Sequence, residues 1–222
     1  MPKTNFFEVN KVIKHIIFDF DGTVADSIDL ALKVGNEIAK KHNFNQLTMD
    51  GFREMNNYPI KERSKKMGIP LYRLPALSVE FLFRYRQLIH SLKVFDGIKD
   101  VIMELSKEGY YLSIVSSNSV ENIKFFLKNN QLEVFNNIIS SNNLFGKNQS
   151  ISKYMRKYKI SPDELIYIGD ELRDIEACKK TSVKIISVVW GFDSLELLKS
   201  GNPDCIAKNP EDILSAINKF KD

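Results

Sequence analysis

Residues 15–23 read HIIFDFDGT, in which a short apolar run is followed at once by two aspartates, a glycine and a threonine. Consecutive rather than alternating apolar residues are typical of a parallel strand buried on both faces of its sheet, so we predict a strand at His15–Phe20. Asp19 and Asp21 stand near its carboxyl end, and Gly22 permits a sharp turn of the backbone after them. Ligands of open parallel sheets bind beyond the carboxyl ends of the strands. The two carboxylates are therefore candidate functional groups.

Further along the chain, short apolar runs alternate with amphipathic helical stretches, a pattern typical of βαβ units. We predict five more strands, at Tyr111–Ser116, Asn137–Ser140, Leu165–Gly169, Val183–Val189 and Cys205–Ala207. The predicted helices of this part are Asp96–Glu108, Ser119–Leu127, Ile151–Tyr158, Leu172–Lys180, Ser194–Lys199 and Glu211–Phe220. The fold class is therefore α/β, with a Rossmann-like parallel sheet that carries helices on both faces.

One segment interrupts this alternation. From Ser27 to Lys93 no stretch has the pattern of a strand. The helical stretches predicted there are Ile28–Lys41, Met49–Met55, Pro59–Met67 and Ser78–Leu92. We therefore expect a small α-helical domain at residues 27–93, inserted after the first strand, and a Rossmann-like core made of residues 1–26 and 94–222.

The size and composition of the chain are typical of a globular protein. It has 222 residues, of which 43% are hydrophobic and 27% charged, which excludes a fibrous or wholly disordered chain. The formal net charge of +4 arises from lysines and arginines scattered along the sequence, whereas nucleic-acid-binding proteins concentrate them on one face. We expect no nucleic-acid partner, and the oligomeric state is left open.

The sequence also bears on location. No run of 18 apolar residues is present, so we expect no transmembrane helix and no membrane partner. Met1–Asn10 lacks a basic stretch followed by an apolar core, so no secretory signal is expected there. Cys178 and Cys205 form neither a disulfide framework nor a zinc motif, and we expect buried, reduced thiols. These features predict a cytoplasmic protein.

A second carboxylate pair follows the predicted strand Leu165–Gly169. Asp170 comes directly after this strand, and Asp174 lies one helical turn further on. If this strand adjoins the first, Asp19 and Asp170 meet, and two carboxylates a few ångströms apart either share a proton or hold a cation. Oxygen ligands with open positions suit Mg²⁺, which also bridges to phosphates. Asp174 is placed to accept hydrogen bonds behind the metal ligands.

Two weaker signals lie between these motifs. Ser116, Ser117 and Asn118 stand at the end of one predicted strand and just before a helix, where hydroxyls and backbone N–H groups can hold a phosphate. Serine and asparagine are also ordinary helix caps, so both interpretations stay open. Lys147 follows the next strand region, just before a predicted helix, and alone it would be taken for a surface charge.

Four motifs have now been described, which in chain order lie at Asp19–Thr23, at Ser116–Asn118, at Lys147 and at Asp170–Asp174. In this order they resemble the motifs of the haloacid dehalogenase superfamily of phosphohydrolases, and the resemblance covers essentially the whole chain. The resemblance implies that Asp19 is the nucleophile that forms an aspartyl-phosphate. It implies that Asp21 is the general acid and base, and that its backbone carbonyl also binds Mg²⁺. Asp170 would supply a carboxylate ligand to the metal, and Ser116 and Lys147 would hold the transferring phosphoryl group.

The lysine of the third motif has two candidates. Asn148 follows Lys147, where many family members have proline, and Lys153 lies nearby. We prefer Lys147 because it stands 23 residues before Asp170, which leaves room for a helix and a turn, whereas Lys153 stands only 17 before it.

The helical insertion resembles the cap domain of this family, and its expected hinges are Ala25–Asp29 and Lys93–Gly97. The tail around Trp190 and Gly191 resembles the phosphoglycolate-phosphatase-like branch. Polar residues of the insertion that are candidates for contact with the leaving group are Arg53, Tyr58, Lys61 and Arg63. The three cations among them and the net charge of +4 modestly favour an anionic leaving group such as glycolate. Because positive charge speeds the approach of any phosphate, charge alone does not decide between acids and sugars.

The expected function is a Mg²⁺-dependent phosphatase of a small phosphorylated metabolite, with 2-phosphoglycolate among the candidates. A phosphosugar mutase of the β-phosphoglucomutase type would use the same two aspartates and is the alternative enzyme. A regulatory binding protein on this fold is the alternative outside enzymes. Dehalogenase chemistry is disfavoured, because those relatives lack an acid at the position of Asp21.

Overall fold

The computed structural model describes residues 13–141 and 146–221. Its strands are β1 His15–Phe18, β2 Ala25–Asp26, β3 Lys93–Val94, β4 Tyr111–Ser116, β5 Asn137–Ser140, β6 Leu165–Gly169, β7 Lys184–Val188 and β8 Cys205–Ala207. Its α-helices are α1 Ile28–His42, α2 Met49–Met55, α3 Ile60–Lys66, α4 Leu74–Leu88, α5 Ile98–Lys107, α6 Val120–Asn129, α7 Lys147–Tyr158, α8 Leu172–Thr181, α9 Leu195–Ser200 and α10 Glu211–Lys219. Short 3₁₀ turns lie at Leu71–Arg73, Ile89–Ser91 and Pro162–Glu164.

Six of the strands form one parallel sheet in the order β5-β4-β1-β6-β7-β8. Phe18 of β1 pairs with Ile114 of β4 on one side and with Ile168 of β6 on the other. The carboxyl ends of these three strands therefore lie together in the middle of the sheet. The predicted α/β class is confirmed.

The sheet is buried on both faces. Ile16 lies in a buried cluster with Ile102 of α5, whereas its neighbour Ile17 lies in a second cluster with Tyr154 of α7 and Ile175 of α8. Successive side chains of a strand point to opposite faces, so the consecutive apolar residues of β1 serve both layers of helices.

Several element boundaries differ from those predicted. β1 ends at Phe18 rather than Phe20, because Phe20 already accepts the backbone N–H groups of Val24 and Ala25 in a tight turn. α7 begins at Lys147, four residues before the predicted start, since its first turn is polar and carries no apolar periodicity. α4 begins at Leu74 instead of Ser78, with a proline in its first turn, where the ring is tolerated.

The insertion leaves and rejoins the sheet through a pair of short strands that the sequence analysis missed. β2 and β3 pair antiparallel, with Ala25 opposite Val94 and Asp26 opposite Lys93. Strands of two residues are too short to show a periodic pattern in the sequence. Lys93 lies in the segment predicted to be helical, whereas the structure places it in β3. Both strands fall within or beside the expected hinge ranges.

The helices of the insertion pack through apolar stripes. Leu30, Val34 and Ile38 recur every fourth residue along α1 and are buried, as are Leu77 and Tyr85 of α4. This spacing places them on one face of each helix, so α1 and α4 form the centre of the insertion.

Cys178 is buried and Cys205 is partly buried, and both are free thiols. Across residues 13–141 and 146–221, no helix combines the length and the apolar character needed to span a bilayer. The prediction made for Met1–Asn10 falls outside the described residues.

Candidate active site

The candidate site lies at the carboxyl edge of the sheet, where β1 and β6 end side by side. Asp19 follows β1, and its backbone N–H donates to the carbonyl oxygen of Ile168 at 2.8 Å. Asp170 follows β6 directly, and Asp174 lies in the first turn of α8. Each of these three aspartates is buried and offers a carboxylate oxygen within 4.8 Å of the other two. The expected approach of Asp19 to Asp170 is therefore present in the structure.

Asp170 is held in place from two directions. Its Oδ1 accepts the hydroxyl of Thr23 at 2.7 Å, and its Oδ2 accepts the backbone N–H of Phe192 at 2.7 Å. A Cβ placed on either Gly22 or Gly191 would overlap the Asp170 carboxyl group. Burial, together with the nearby charges of Glu171, Asp19 and Asp174, raises the pKa of Asp170 well above its usual value.

Lys147 lies within this group of carboxylates. Its buried Nζ donates to Asp19 Oδ2 at 2.5 Å and also to Asp174 Oδ1. Although burial favours the neutral amine, the carboxylates of Asp174 and Asp19 raise the pKa of Lys147 above its usual value. Lys147 is therefore a fixed cation at the carboxyl edge of the sheet.

The charge of the group suits a divalent cation. Three buried carboxylates face one ammonium group, which leaves two formal negative charges in a site shielded from water. Burial raises the pKa of Asp174 to about 7, and Asp19 and Glu171 add to this by repulsion while Lys147 opposes it. Carboxylate oxygens are hard ligands for Mg²⁺ and related ions, so the donor set fits a bound divalent metal.

The carboxyl group of Asp21 lies apart from the other three. Its Oδ1 accepts the hydroxyl of Tyr85 at 2.5 Å, and its Oδ2 accepts the side-chain N–H of Asn118 at 2.8 Å. Burial raises the pKa of Asp21 to about 6, although the hydrogen bonds from Tyr85 and Asn118 favour the ionised form. A carboxyl group with this pKa can both give and take a proton near neutral pH.

The residues that follow β4 have different surroundings. Ser116 is buried, and its Oγ accepts the backbone N–H of Asn118 at 3.2 Å. Asn118 reaches Asp21, as described, and Ser119 caps α6 by accepting from the backbone N–H of Asn122. Ser117 instead lines a cavity within the helical insertion. The structure thus brings Ser116 and Asn118 to the edge of the site and points Ser117 towards the insertion.

Some contacts at the site had no signal in the sequence. Tyr85 belongs to α4, 64 residues from the carboxylate it contacts, and in the sequence it is only one aromatic residue of a predicted helix. Arg63 of α3 forms an ion pair with Asp193, which follows β7 and also accepts the backbone N–H of Leu172. These contacts join the insertion to the core on two sides of the site.

The polar candidates of the insertion are placed differently from expectation. The side chain of Arg53 is 72% exposed, and Lys61 is also exposed. Arg63 is engaged by Asp193, and Tyr58 lies beneath the ammonium group of Lys66, 4.2 Å from its ring centre. Arg63 and Tyr58 thus have partners of their own, and the expectation that the cations favour an anionic leaving group stays a prediction.

The chain belongs to a known enzyme family. The family model described as haloacid dehalogenase-like hydrolase matches residues 16–188, which include both acidic motifs. The chain is therefore a member of that family, and the resemblance drawn from the motifs is confirmed.

Two named relatives and one solved structure illustrate the similarity. The chain is 26% identical over 206 residues to a phosphoglycolate phosphatase of Synechococcus elongatus, which covers 92% of this chain and 97% of that protein. It is 23% identical over 214 residues to the pyrophosphatase PpaX of Anoxybacillus flavithermus, with coverage of 92% and 97%. A haloacid dehalogenase-like hydrolase from Streptococcus pneumoniae has the same fold, with a TM-score of 0.76, 22% identity, and coverage of 91% and 97%. The expected enzyme class, a phosphatase of this family, is confirmed.

Proposed function

We propose that the protein is a Mg²⁺-dependent phosphatase that hydrolyses a small phosphorylated metabolite through an aspartyl-phosphate on Asp19. The observation that carries this proposal is the buried group in which Lys147 contacts Asp19 and Asp174 beside Asp170. A cytoplasmic location is part of the proposal, supported by the free thiols of Cys178 and Cys205.

Asp19 would act as the nucleophile. Its Oδ1 accepts the backbone N–H of Phe20 at 2.7 Å, and its Oδ2 accepts from Lys147. These bonds fix the direction of the carboxylate, and the positive charge of Lys147 offsets the repulsion between Asp19 and an anionic phosphate. Attack of a carboxylate oxygen on phosphorus forms the acyl-phosphate bond, and the bond from phosphorus to the leaving oxygen breaks.

Asp21 would move the proton in both steps. In the protonated form it donates to the departing oxygen, so that the leaving group departs as a neutral alcohol. As a carboxylate it then accepts a proton from the water that attacks the phosphorus of the aspartyl-phosphate, which returns Asp19 and releases phosphate. The hydroxyl of Tyr85 and the amide of Asn118 hold Asp21 in position for both transfers.

The metal site would consist of the carboxylates of Asp19 and Asp170 and the backbone carbonyl of Asp21. Bound Mg²⁺ supplies charge neutralisation for the phosphoryl group. Asp174 also offers a carboxylate oxygen within 4.8 Å of those of Asp19 and Asp170, so its negative charge would contribute to holding the metal as well as the Lys147 ammonium group.

The phosphoryl oxygens would be held by the ammonium group of Lys147, by the Ser116 hydroxyl and by the loop at Ser117 and Asn118. Ser116 supplies a buried hydroxyl at the end of β4, and the loop that follows it leads into the first turn of α6. The backbone N–H groups at the start of a helix attract anions.

Residues 27–93 would act as a cap over the core formed by residues 1–26 and 94–222. The bond from Tyr85 to Asp21 and the ion pair of Arg63 with Asp193 cross between the two parts. With both contacts formed the cap would exclude water from the site, and both would have to break for product to leave.

The proposed substrate is a small phosphorylated metabolite. The name of the Synechococcus relative supports 2-phosphoglycolate as one candidate. Release of inorganic phosphate from a purified sample, measured with and without Mg²⁺, tests the proposal. A sugar phosphate isomerised without phosphate release would favour the mutase, and Mg²⁺-dependent binding without turnover would favour the regulatory protein.

Two lysines of α7 offer a matched test of the site. Lys147 is buried against Asp19 and Asp174, whereas Lys153 lies on the exposed side of the same helix. We expect Lys147→Ala to lower kcat/KM for an aryl phosphate by roughly a hundredfold or more, because loss of a charged group at the transferring phosphoryl costs about 3 kcal/mol. Lys153→Ala should stay within about twofold of the parent, in the range of ordinary surface changes. A larger loss in Lys153→Ala would assign the third motif to Lys153.

Gly191 offers a test of the position of Asp170. We expect Gly191→Ala to lower kcat/KM about tenfold to a hundredfold and to weaken Mg²⁺ binding. The reason is that the added methyl group would overlap the Asp170 carboxyl group and displace it. Changes to the groups that orient metal ligands have effects of this size. Gly51→Ala is the control, since its Cβ would have Thr48 Oγ1 at 3.3 Å as nearest neighbour. Equal activities of the two variants, measured over a range of Mg²⁺ concentrations, would contradict this role of Gly191.

A further inference from the structure

The helical insertion contains a large cavity. Its volume is about 520 Å³, within the range of small-molecule sites. It lies among α1, α4 and the 3₁₀ turn at Leu71–Arg73. Apolar side chains that line it include Ile38, Phe44, Ile69, Leu74, Phe81 and Leu82.

Two residues that line the cavity connect it to the candidate site. Ser117 of the core lines it, and Ser117 precedes Asn118, whose side-chain N–H donates to Asp21. Phe81 also lines it and packs against Tyr85 with ring centres 5.8 Å apart, and Tyr85 donates to Asp21. Asn118 and Tyr85 thus stand between the cavity and the carboxyl group that would protonate a leaving group.

The lining does not suit a charged leaving group. It contains no lysine, arginine, aspartate or glutamate among the residues that the structure describes. Among the cations of the insertion, Arg63 has a largely buried side chain, but it is already paired with Asp193. The polar side chains of the lining are Ser78, whose hydroxyl already donates to the carbonyl oxygen of Leu74, and Ser117. A carboxylate or phosphate placed against such walls would lose its hydration without meeting an opposite charge, which is unfavourable.

We propose that this cavity binds the leaving group of the substrate, and that the substrate is a phosphomonoester of an apolar alcohol, with an alkyl chain or an aromatic ring. This inference rests on the proposed phosphatase function. In the reaction, the bond from phosphorus to the alcohol oxygen breaks, Asp21 supplies the proton to that oxygen, and water completes the release of phosphate. The products are the free alcohol and inorganic phosphate, so the balance requires only water.

Gly35 gives a means of filling the cavity. It lines the cavity from the middle of α1, and a Cβ placed on it meets no atom within 4 Å. A leucine at this position would extend into empty space. Leucine is also favoured over glycine in the interior of a helix, so Gly35→Leu is expected to fold with a melting temperature at or above that of the parent.

The test measures kcat/KM for a series of n-alkyl phosphates from ethyl to octyl, beside 2-phosphoglycolate, with Mg²⁺. For the parent, we expect a rise of about three- to fourfold per methylene group, the value of burying each one, and low values for 2-phosphoglycolate. Gly35→Leu should lower the ratio of octyl to ethyl phosphate at least about tenfold, the effect of displacing two or more methylene groups. Phe83→Ser is the control, because Phe83 is an exposed residue of α4 outside the lining, and it should keep the parental ratio.

The outcomes separate the two proposals. Phosphate release without dependence on chain length, or fastest with 2-phosphoglycolate, overturns the inference about the cavity and leaves the phosphatase intact. No phosphate release from any substrate overturns the proposed function. In that case, calorimetry of the same alkyl phosphates with the parent protein in Mg²⁺ tests the cavity. A dissociation constant that falls with chain length supports it, and one that is constant with chain length overturns it.

Discussion

Asp19→Asn lowers kcat for phosphate release at least about a thousandfold in our account, because the amide is a poor nucleophile and a poor metal ligand. The buried position of Asp19 makes the effect larger than a loss of charge alone. Lys147 donates to its Oδ2, and with a neutral amide there the ammonium group keeps only Asp174 as its carboxylate partner among the contacts described. Steady-state assays with an aryl phosphate measure the loss.

The control for this variant is Asp50→Asn. Asp50 lies at the start of α2 with its side chain 95% exposed, 3.6 Å from Arg53, and surface ion pairs of this kind contribute little. Its activity should match that of the parent. An Asp19→Asn enzyme with more than a tenth of parental activity, and with its metal binding intact, would remove Asp19 from the nucleophile's role.

Removal of the metal is the second large effect. We expect EDTA to abolish turnover and Mg²⁺ to restore it. Ca²⁺ should fail to restore it, since its bonds are longer and its coordination shell is looser. The charge of the site gives the reason, because without a cation Asp170 and Asp174 face Asp19 with Lys147 as the opposing charge. Full activity in excess EDTA would contradict the metal requirement.

The same charges predict how stability depends on pH. The pKa of Asp170 is well above its usual value, and that of Asp174 is raised to about 7. At pH values between the ordinary pKa of an aspartate and these raised pKa values, Asp170 and Asp174 bind more protons in the folded protein than in the unfolded chain. The free energy of unfolding of the metal-free protein therefore falls as pH rises through that window.

Mg²⁺ should reverse this loss, and its effect should be larger at pH 7.5 than at pH 5. At a concentration a hundredfold above its dissociation constant it adds about 2.7 kcal/mol, which raises the melting temperature by roughly 5–10 °C for a chain of this size. Melting curves at both pH values, with and without Mg²⁺, give the comparison. A larger Mg²⁺-induced rise in melting temperature at pH 5 than at pH 7.5 would contradict this prediction.

Much of the core could be predicted from the sequence because its determinants are local. Consecutive apolar residues mark strands that are buried on both faces, and the turn chemistry after β1 and β6 marks their carboxyl ends. Parallel pairing then brings Asp19 and Asp170 to one edge without further information, as the structure shows. The preference for Lys147 over Lys153 rested on spacing, and the structure places Lys147 against the carboxylates.

The rest of the site depends on how the insertion lies on the core, which no local pattern encodes. In the sequence, Tyr85 is only one aromatic residue of a predicted helix. Its hydrogen bond to Asp21 depends on where α4 lies relative to the core. Arg63 is predicted only as a candidate for contact with the leaving group, because its partner Asp193 lies 130 residues away in sequence. The cavity likewise arises from the packing of α1 against α4, where Gly35 leaves space that its neighbours do not fill.

The most direct test of the account is to trap the covalent intermediate on Asp19. Asp21→Asn is suited to this experiment, because an aryl phosphate needs little help from an acid to leave, whereas hydrolysis of the aspartyl-phosphate needs the base. After a short reaction with Mg²⁺ and an acid quench, digestion and mass spectrometry should find one added phosphoryl group on the peptide that contains Asp19, removable by hydroxylamine. Continued turnover of the aryl phosphate with that peptide unmodified, or a phosphoryl group on any other residue, would contradict the account.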